Sequence, residues 1–198
     1  MLFRSEEDAF DQILQDWRKQ GYPFDHLIPS LATAIGSSGD RPDALAELMG
    51  IILNDGLKLP TVEVERLHFA SGTPYQTDMS LVPDAPKQAI PKEVAQTVRR
   101  ALAGVVAEGT GTRIRNVFTG PEGQKLAVGG KTGTGDNRKD TYAPGGRVIA
   151  SKVVDRTGTF VFYIGDRFFG TVTAFVAGQE AANYRFTGAD RKSTRLNS

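Results

Sequence analysis

The chain has 198 residues, 39% hydrophobic and 24% charged, and its 24 basic and 23 acidic side chains leave a net charge of +1. That composition suits one globular core and excludes nucleic acid as the main partner, because counterion release needs a basic face. There is no cysteine, the two histidines are His26 and His68, and no apolar run reaches membrane-spanning length. A disulfide framework, a zinc site and a spanning helix are therefore not expected.

Residues 6–20 carry Phe10, Ile13, Leu14 and Trp17 on one stripe, which predicts a helix broken at Tyr22-Pro23. After Ile28-Pro29-Ser30-Leu31-Ala32-Thr33-Ala34-Ile35-Gly36-Ser37-Ser38, Asp40 is the expected N-cap of a second helix, with Pro42 in its first turn. Leu45, Leu48, Met49, Ile52 and Leu53 make that helix strongly apolar, and Asn54-Asp55-Gly56 closes it. Residues 61–69 alternate polar and apolar, predicting a half-buried strand turned by Ser71-Gly72-Thr73-Pro74. His68 has no nearby partner in sequence and reads as a surface or packing residue. Residues 81–90 are punctuated by proline and read as a loop. Pro91 opens a long helix with Val94, Val98, Leu102 and Val105 on one stripe and Lys92, Glu93, Arg99 and Arg100 outside it. It runs out at Glu108-Gly109-Thr110-Gly111-Thr112-Arg113.

The next stretch is Lys125-Leu126-Ala127-Val128-Gly129-Gly130-Lys131-Thr132-Gly133-Thr134-Gly135, a short apolar entry into small residues around one lysine. Glycines beside Lys131 let another chain approach closely. On a strand, Thr132 and Thr134 fall on one face and Lys131 on the other. Two hydroxyls, backbone N–H groups and an ammonium suit a carboxylate and a developing oxyanion. A phosphate-binding P-loop would need glycine where Lys125 stands, so that reading fails. Beyond it, residues 136–156 are polar and basic and read as a connector. Residues 159–165 and 170–176 read as two strands joined through Asp166-Arg167-Phe168-Phe169, and Glu180 begins an expected terminal helix.

Gly130-Lys131-Thr132-Gly133-Thr134 resembles the Lys-Thr-Gly box of penicillin-binding proteins and serine β-lactamases, in the form typical of transpeptidases. Val105-Val106-Ala107-Glu108-Gly109-Thr110-Gly111-Thr112, ahead of Lys131, resembles the helix ending that precedes this box in penicillin-binding transpeptidases. The segment from Pro29 to Ser38 resembles part of bifunctional penicillin-binding proteins. The resemblance implies an α+β fold, an antiparallel sheet flanked by helices in the C-terminal part of a β-lactamase/transpeptidase-like fold. It implies acyl transfer from D-Ala-D-Ala stem peptides of peptidoglycan, inhibition by β-lactams, and no cofactor. Lys131 would lie by the nucleophile, Thr132 and Thr134 would bind the terminal carboxylate, Gly133 would admit substrate backbone, and the Thr134 N–H would form half of an oxyanion hole. Residues 160–165 stand later than the family's segment after this box, behind an insertion around residues 141–151. A serine β-lactamase, or a non-catalytic penicillin-binding-like sensor or scaffold domain, would carry a similar box.

No serine is followed by lysine three positions on or by asparagine two positions on, so the family's nucleophile motif and its Ser-x-Asn motif are absent from this sequence. Residues 190–198 and 2–5 resemble translated sequencing adapters. The expectation is that residues 6–189 are an internal piece of a longer gene, with the nucleophile, a membrane anchor and a periplasmic, inner-membrane-bound parent lying upstream. On that expectation the piece alone is inactive.

Overall fold

The computed structural model describes residues 5–19, 27–35 and 41–184. Helix α1, Glu6–Lys19, follows the predicted stripe and begins with Glu6, Glu7 and Asp8, which suit the positive end of its dipole. Helix α2, Pro42–Leu53, buries Ala44, Met49, Gly50, Ile51, Ile52 and Leu53. Its expected cap, Asp40, lies outside the described residues; Arg41 holds the N-cap position with no side-chain cap bond. The helix stops as predicted. Asp55 and Gly56 turn to φ 54° and 86°, and the Gly56 carbonyl accepts from Ala89 N at 2.9 Å. A Cβ at Gly56 would stand 2.1 Å from the Ile90 carbonyl oxygen, so glycine is required there.

Strand β1, Leu57–Lys58, pairs antiparallel with a second short strand inside the stretch read as a loop. The predicted strand over 61–69 is shorter in the structure: β2 spans Arg66–Phe69 and pairs with β3, Thr77–Ser80, with Glu65 still accepting from Leu81 N at 3.1 Å and residues 61–64 outside the strand. His68 lies on this short, exposed strand, as its surface reading expects. Cross-strand pairing sets its Nδ1 2.6 Å from Asp78 Oδ1, ten residues further on, a partner that only the register brings near. Strand β4, Lys87–Gln88, is the partner of β1.

Helix α3, Lys92–Ala107, starts at Pro91 as expected. Val98 and Leu102 of the predicted stripe pack on the core, while its two ends shift by one residue, from Val94 to Ala95 and from Val105 to Val106. Ala95 is fully buried and Val106 nearly so, whereas Val94 is 48% exposed. Ala95 lies with Ile51, Ile52, Ala89 and Ile90 in one cluster, against which Leu48, Val98 and Leu102 pack. Each fully buried isoleucine there contributes about 1.5–3 kcal/mol by leaving water.

The last three strands, β5 (Val128–Tyr142), β6 (Val148–Ile164) and β7 (Phe168–Ala177), form one antiparallel sheet in that order. The polar stretch 136–156, expected as a connector, is instead strand on both sides of a turn. Arg156 holds Asp136 through Nε at 2.6 Å and Nη2 at 2.9 Å, and Asn137 donates to Asp155 at 2.7 Å across the ladder. The turn at residues 143–147 uses Gly145 and Gly146 at φ 99° and 82°. The sheet is fixed to the helices by Tyr163, 2% exposed, which packs on Met49 and Leu53 beside Leu102 and Val161. After β7 the chain makes a 3-10 turn, Gly178–Ala182, where the terminal helix was expected to begin, and residues 185 onward lie outside the described residues.

Candidate active site

Lys131, Thr132, Gly133 and Thr134 lie on β5, opposite Val161, Phe160, Thr159 and Gly158 of β6. Directly opposed residues share a sheet face, so Lys131 and Gly133 lie on the Val161 side and Thr132 and Thr134 on the Phe160 side. The predicted alternation therefore stands. What positions the box is the pair of glycines before it. A Cβ at Gly129 would meet the Tyr163 ring at 2.4 Å, and one at Gly130 would meet the Val161 carbonyl oxygen at 2.4 Å. β5 is drawn tightly onto β6 there, with Val128, Gly129 and Gly130 buried.

Past that point the strand opens. A Cβ at Gly133 or Gly135 would find nothing within 4 Å. β5 is also the outer member of the sheet, and among the described residues no strand pairs with its other edge. The Lys131 ammonium donates to the Thr132 carbonyl at 2.6 Å.

A contact that sequence reasoning missed joins the box to the end of α3. The Thr110 and Thr132 hydroxyls are 2.9 Å apart. Thr110 is set there by a tight turn in which Gly109 N and Gly111 N both donate to the Val105 carbonyl, at 3.1 and 2.9 Å. A Cβ at Gly109 would stand 2.9 Å from that same oxygen. The signal was the Gly109-Thr110-Gly111-Thr112 run itself; pairing of the two hydroxyls needs the fold.

Behind the box, Arg99 of α3 lies 5.3 Å from the Tyr163 ring centroid, pairs with Asp166 and reaches the Gly165 carbonyl at 3.4 Å. The Tyr163 hydroxyl donates to the Arg99 carbonyl at 3.2 Å. Burial pushes the Tyr163 phenol above its ordinary range. Burial opposes the charge on Arg99, but the hydrogen bond and charge of Asp166, with Tyr163, raise its pKa overall. The network clamps the β6–β7 turn to α3. Among the described residues no hydrogen bond or ion pair joins His68 to the box, and no group of three or more His, Asp or Glu side chains could hold a metal.

The arrangement sets two threonine hydroxyls and an ammonium along one outer strand, groups that can hydrogen-bond a carboxylate. The family model for the penicillin binding protein transpeptidase domain matches residues 17–161. Penicillin-binding protein 1B of Escherichia coli K12 is 28% identical over 134 residues, 67% of this chain and 15% of that protein. Stage V sporulation protein D of Bacillus subtilis 168 is 52% identical over 58 residues, 29% of this chain and 8% of that protein. The chain thus spans about one seventh or less of the curated relatives it matches. The D,D-transpeptidase domain of a peptidoglycan glycosyltransferase from Eggerthella lenta shares the fold, with TM-score 0.50 at 22% identity over 85% of this chain and 43% of that one. On the family match across most of its length, this chain belongs to the penicillin-binding protein transpeptidase domain family, a family of peptidoglycan cross-linking enzymes.

Proposed function

We propose that this chain forms one wall of the acyl-transfer cleft of a peptidoglycan D,D-transpeptidase. The observation that carries the reading is β5 itself, an outer strand whose lysine–threonine box is pinned at Gly130 and opens at Gly133. An extended stem peptide adds along that edge by main-chain pairing. Thr132 and Thr134 take its terminal carboxylate, or that of a β-lactam, and the Thr134 N–H faces the developing oxyanion. Lys131 supplies positive potential beside the nucleophile. A serine attacks the carbonyl of the penultimate D-alanine and expels the terminal one, and an amine from a second strand then takes the acyl group.

The serine belongs to a segment upstream of residue 6, since none of the serines present stands in a Ser-x-x-Lys motif. Residues 6–189 are then a piece of a longer protein, with adapter-derived residues at both ends. The many large apolar side chains left exposed, among them Val82 at 87%, Phe168 at 63% and Phe175 at 61%, support further protein packing on this piece. Among the described residues no helix is long and apolar enough to cross a membrane. We place the parent's action outside the cytoplasmic membrane, at the peptidoglycan on which the family acts, with an anchor and a glycosyltransferase domain upstream.

Fluorescent penicillin tests this reading. The upstream-extended protein should be labelled covalently, the present chain should not, and Thr132→Val with Thr134→Val should slow labelling of the extended protein about 100-fold, the scale of losing one oxyanion or carboxylate donor. Labelling of the present chain, or an upstream sequence without Ser-x-x-Lys, overturns the assignment.

A further inference from the structure

β7 ends opposite Asp155, whereas the β5–β6 ladder continues to the Tyr142–Val148 pair. Residues 138–152 therefore form a two-stranded arm that extends the box strand beyond the sheet. The arm carries Arg138, Lys139, Arg147 and Lys152 against one carboxylate, Asp140, a local charge of +3 in a chain whose total is +1. Lys139 stands directly opposite Lys152. Like charges in that position destabilise a ladder. Asp136 is held by Arg156, and Asp140 stands opposite Ser151 on the other face. That leaves Asp155, hydrogen-bonded to the neutral Asn137 amide, as the one acid beside the pair, and among the described residues it forms no ion pair with either lysine. Among the described residues Lys139, Arg147 and Lys152 enter no ion pair.

The position of the pair relative to the box points to a use. Along β5, Lys131, Gly133, Gly135 and Asn137 alternate onto one strand face and Lys139 follows past a register shift after Asn137; the two glycines leave open space, and the Asn137–Asp155 pair stands between them and Lys139. Thr134 to Lys139 is about 17 Å of strand, the length of an extended pentapeptide. Resting on the reading of the box given above, we infer that Lys139 and Lys152 bind the side carboxylates of the stem peptide whose terminus the box holds. The arm selects substrate by charge: free carboxylates are favoured and amidated ones are not.

The test is co-sedimentation of this chain with purified peptidoglycan sacculi, whose repeated peptides amplify weak binding by avidity. Native sacculi should retain the chain at low salt and release it as salt rises. Sacculi with chemically amidated carboxylates should bind at least about 10-fold more weakly, as should the variant K139Q/K152Q on native sacculi. Lys139→Glu separates binding from folding: facing Lys152 it makes an attractive cross-strand pair, so it should raise the melting temperature while lowering retention. Equal binding of native and amidated sacculi, or retention indifferent to both lysines, overturns the inference. So does preferential, lysine-dependent binding to anionic phospholipid vesicles, which would make the arm a membrane contact. The two readings fail separately: absence of penicillin labelling in the upstream-extended protein removes the box, while a labelled protein whose sacculus binding ignores Lys139 and Lys152 removes only the arm.

Discussion

Four glycines within seven residues of β5 have two different duties. At Gly130 the new methyl of Gly130→Ala would press on a backbone oxygen that cannot move aside, so the variant should lose about 1–3 kcal/mol in urea unfolding. Gly133→Ala meets open space and should leave stability within about 0.5 kcal/mol, while slowing penicillin labelling of the upstream-extended protein. Tyr163 gives a pH signature. Its pKa is raised from 10.0, so its contribution to stability is complete below that value and is lost as pH climbs through the higher folded value. Thermal melts from pH 8 to pH 12 should show a steeper alkaline decline for the native chain than for Tyr163→Phe, which also lacks the hydroxyl bond to Arg99 and should lose about 1 kcal/mol at neutral pH. At this scale the alternation of Lys131 with Thr132 and Thr134 on one strand was readable, because it follows from residue spacing alone. The sequence was silent on Thr110 and on the Arg99–Tyr163–Asp166 cluster, because those partners stand more than twenty residues apart and meet only through the α3–sheet packing.

Among the elements, α2 and α3 were legible because apolar periodicity and the Pro and Asn-Asp-Gly boundaries act locally. The outer half of the β5–β6 hairpin was not. Both of its faces meet solvent, so no alternation marks it, and its pairing rests on polar contacts across the ladder. Asp136→Ala should therefore cost about 1 kcal/mol through loss of the two-pronged Arg156 bond, and limited proteolysis should cut first between residues 138 and 152 in the variant. Asp55 ties the end of α2 to the start of α3 through Lys92 and Gln96, which hold its carboxyl below 3.8. That tie is complete above the ordinary carboxyl range and is lost as pH falls through the lower folded value, so Asp55→Asn should flatten the acid limb of a melting-temperature profile.

For the molecule as a whole, stability is uneven. The core lies where α2, α3 and Tyr163 meet, while the β2–β3 hairpin is two strands with every residue exposed. A lone hairpin is marginal in water, so its amides should exchange with deuterium well before those of β6 around Phe162 and Tyr163. The outer margin of β5 has a further consequence. Among the described residues no strand covers that margin, so it is as inviting to a sister molecule as to a ligand, and strand-to-strand dimers should accumulate in concentrated solution. The repulsion of Lys139 and Lys152 works against such pairing, so neutralising them should lower the concentration at which light scattering first detects aggregates.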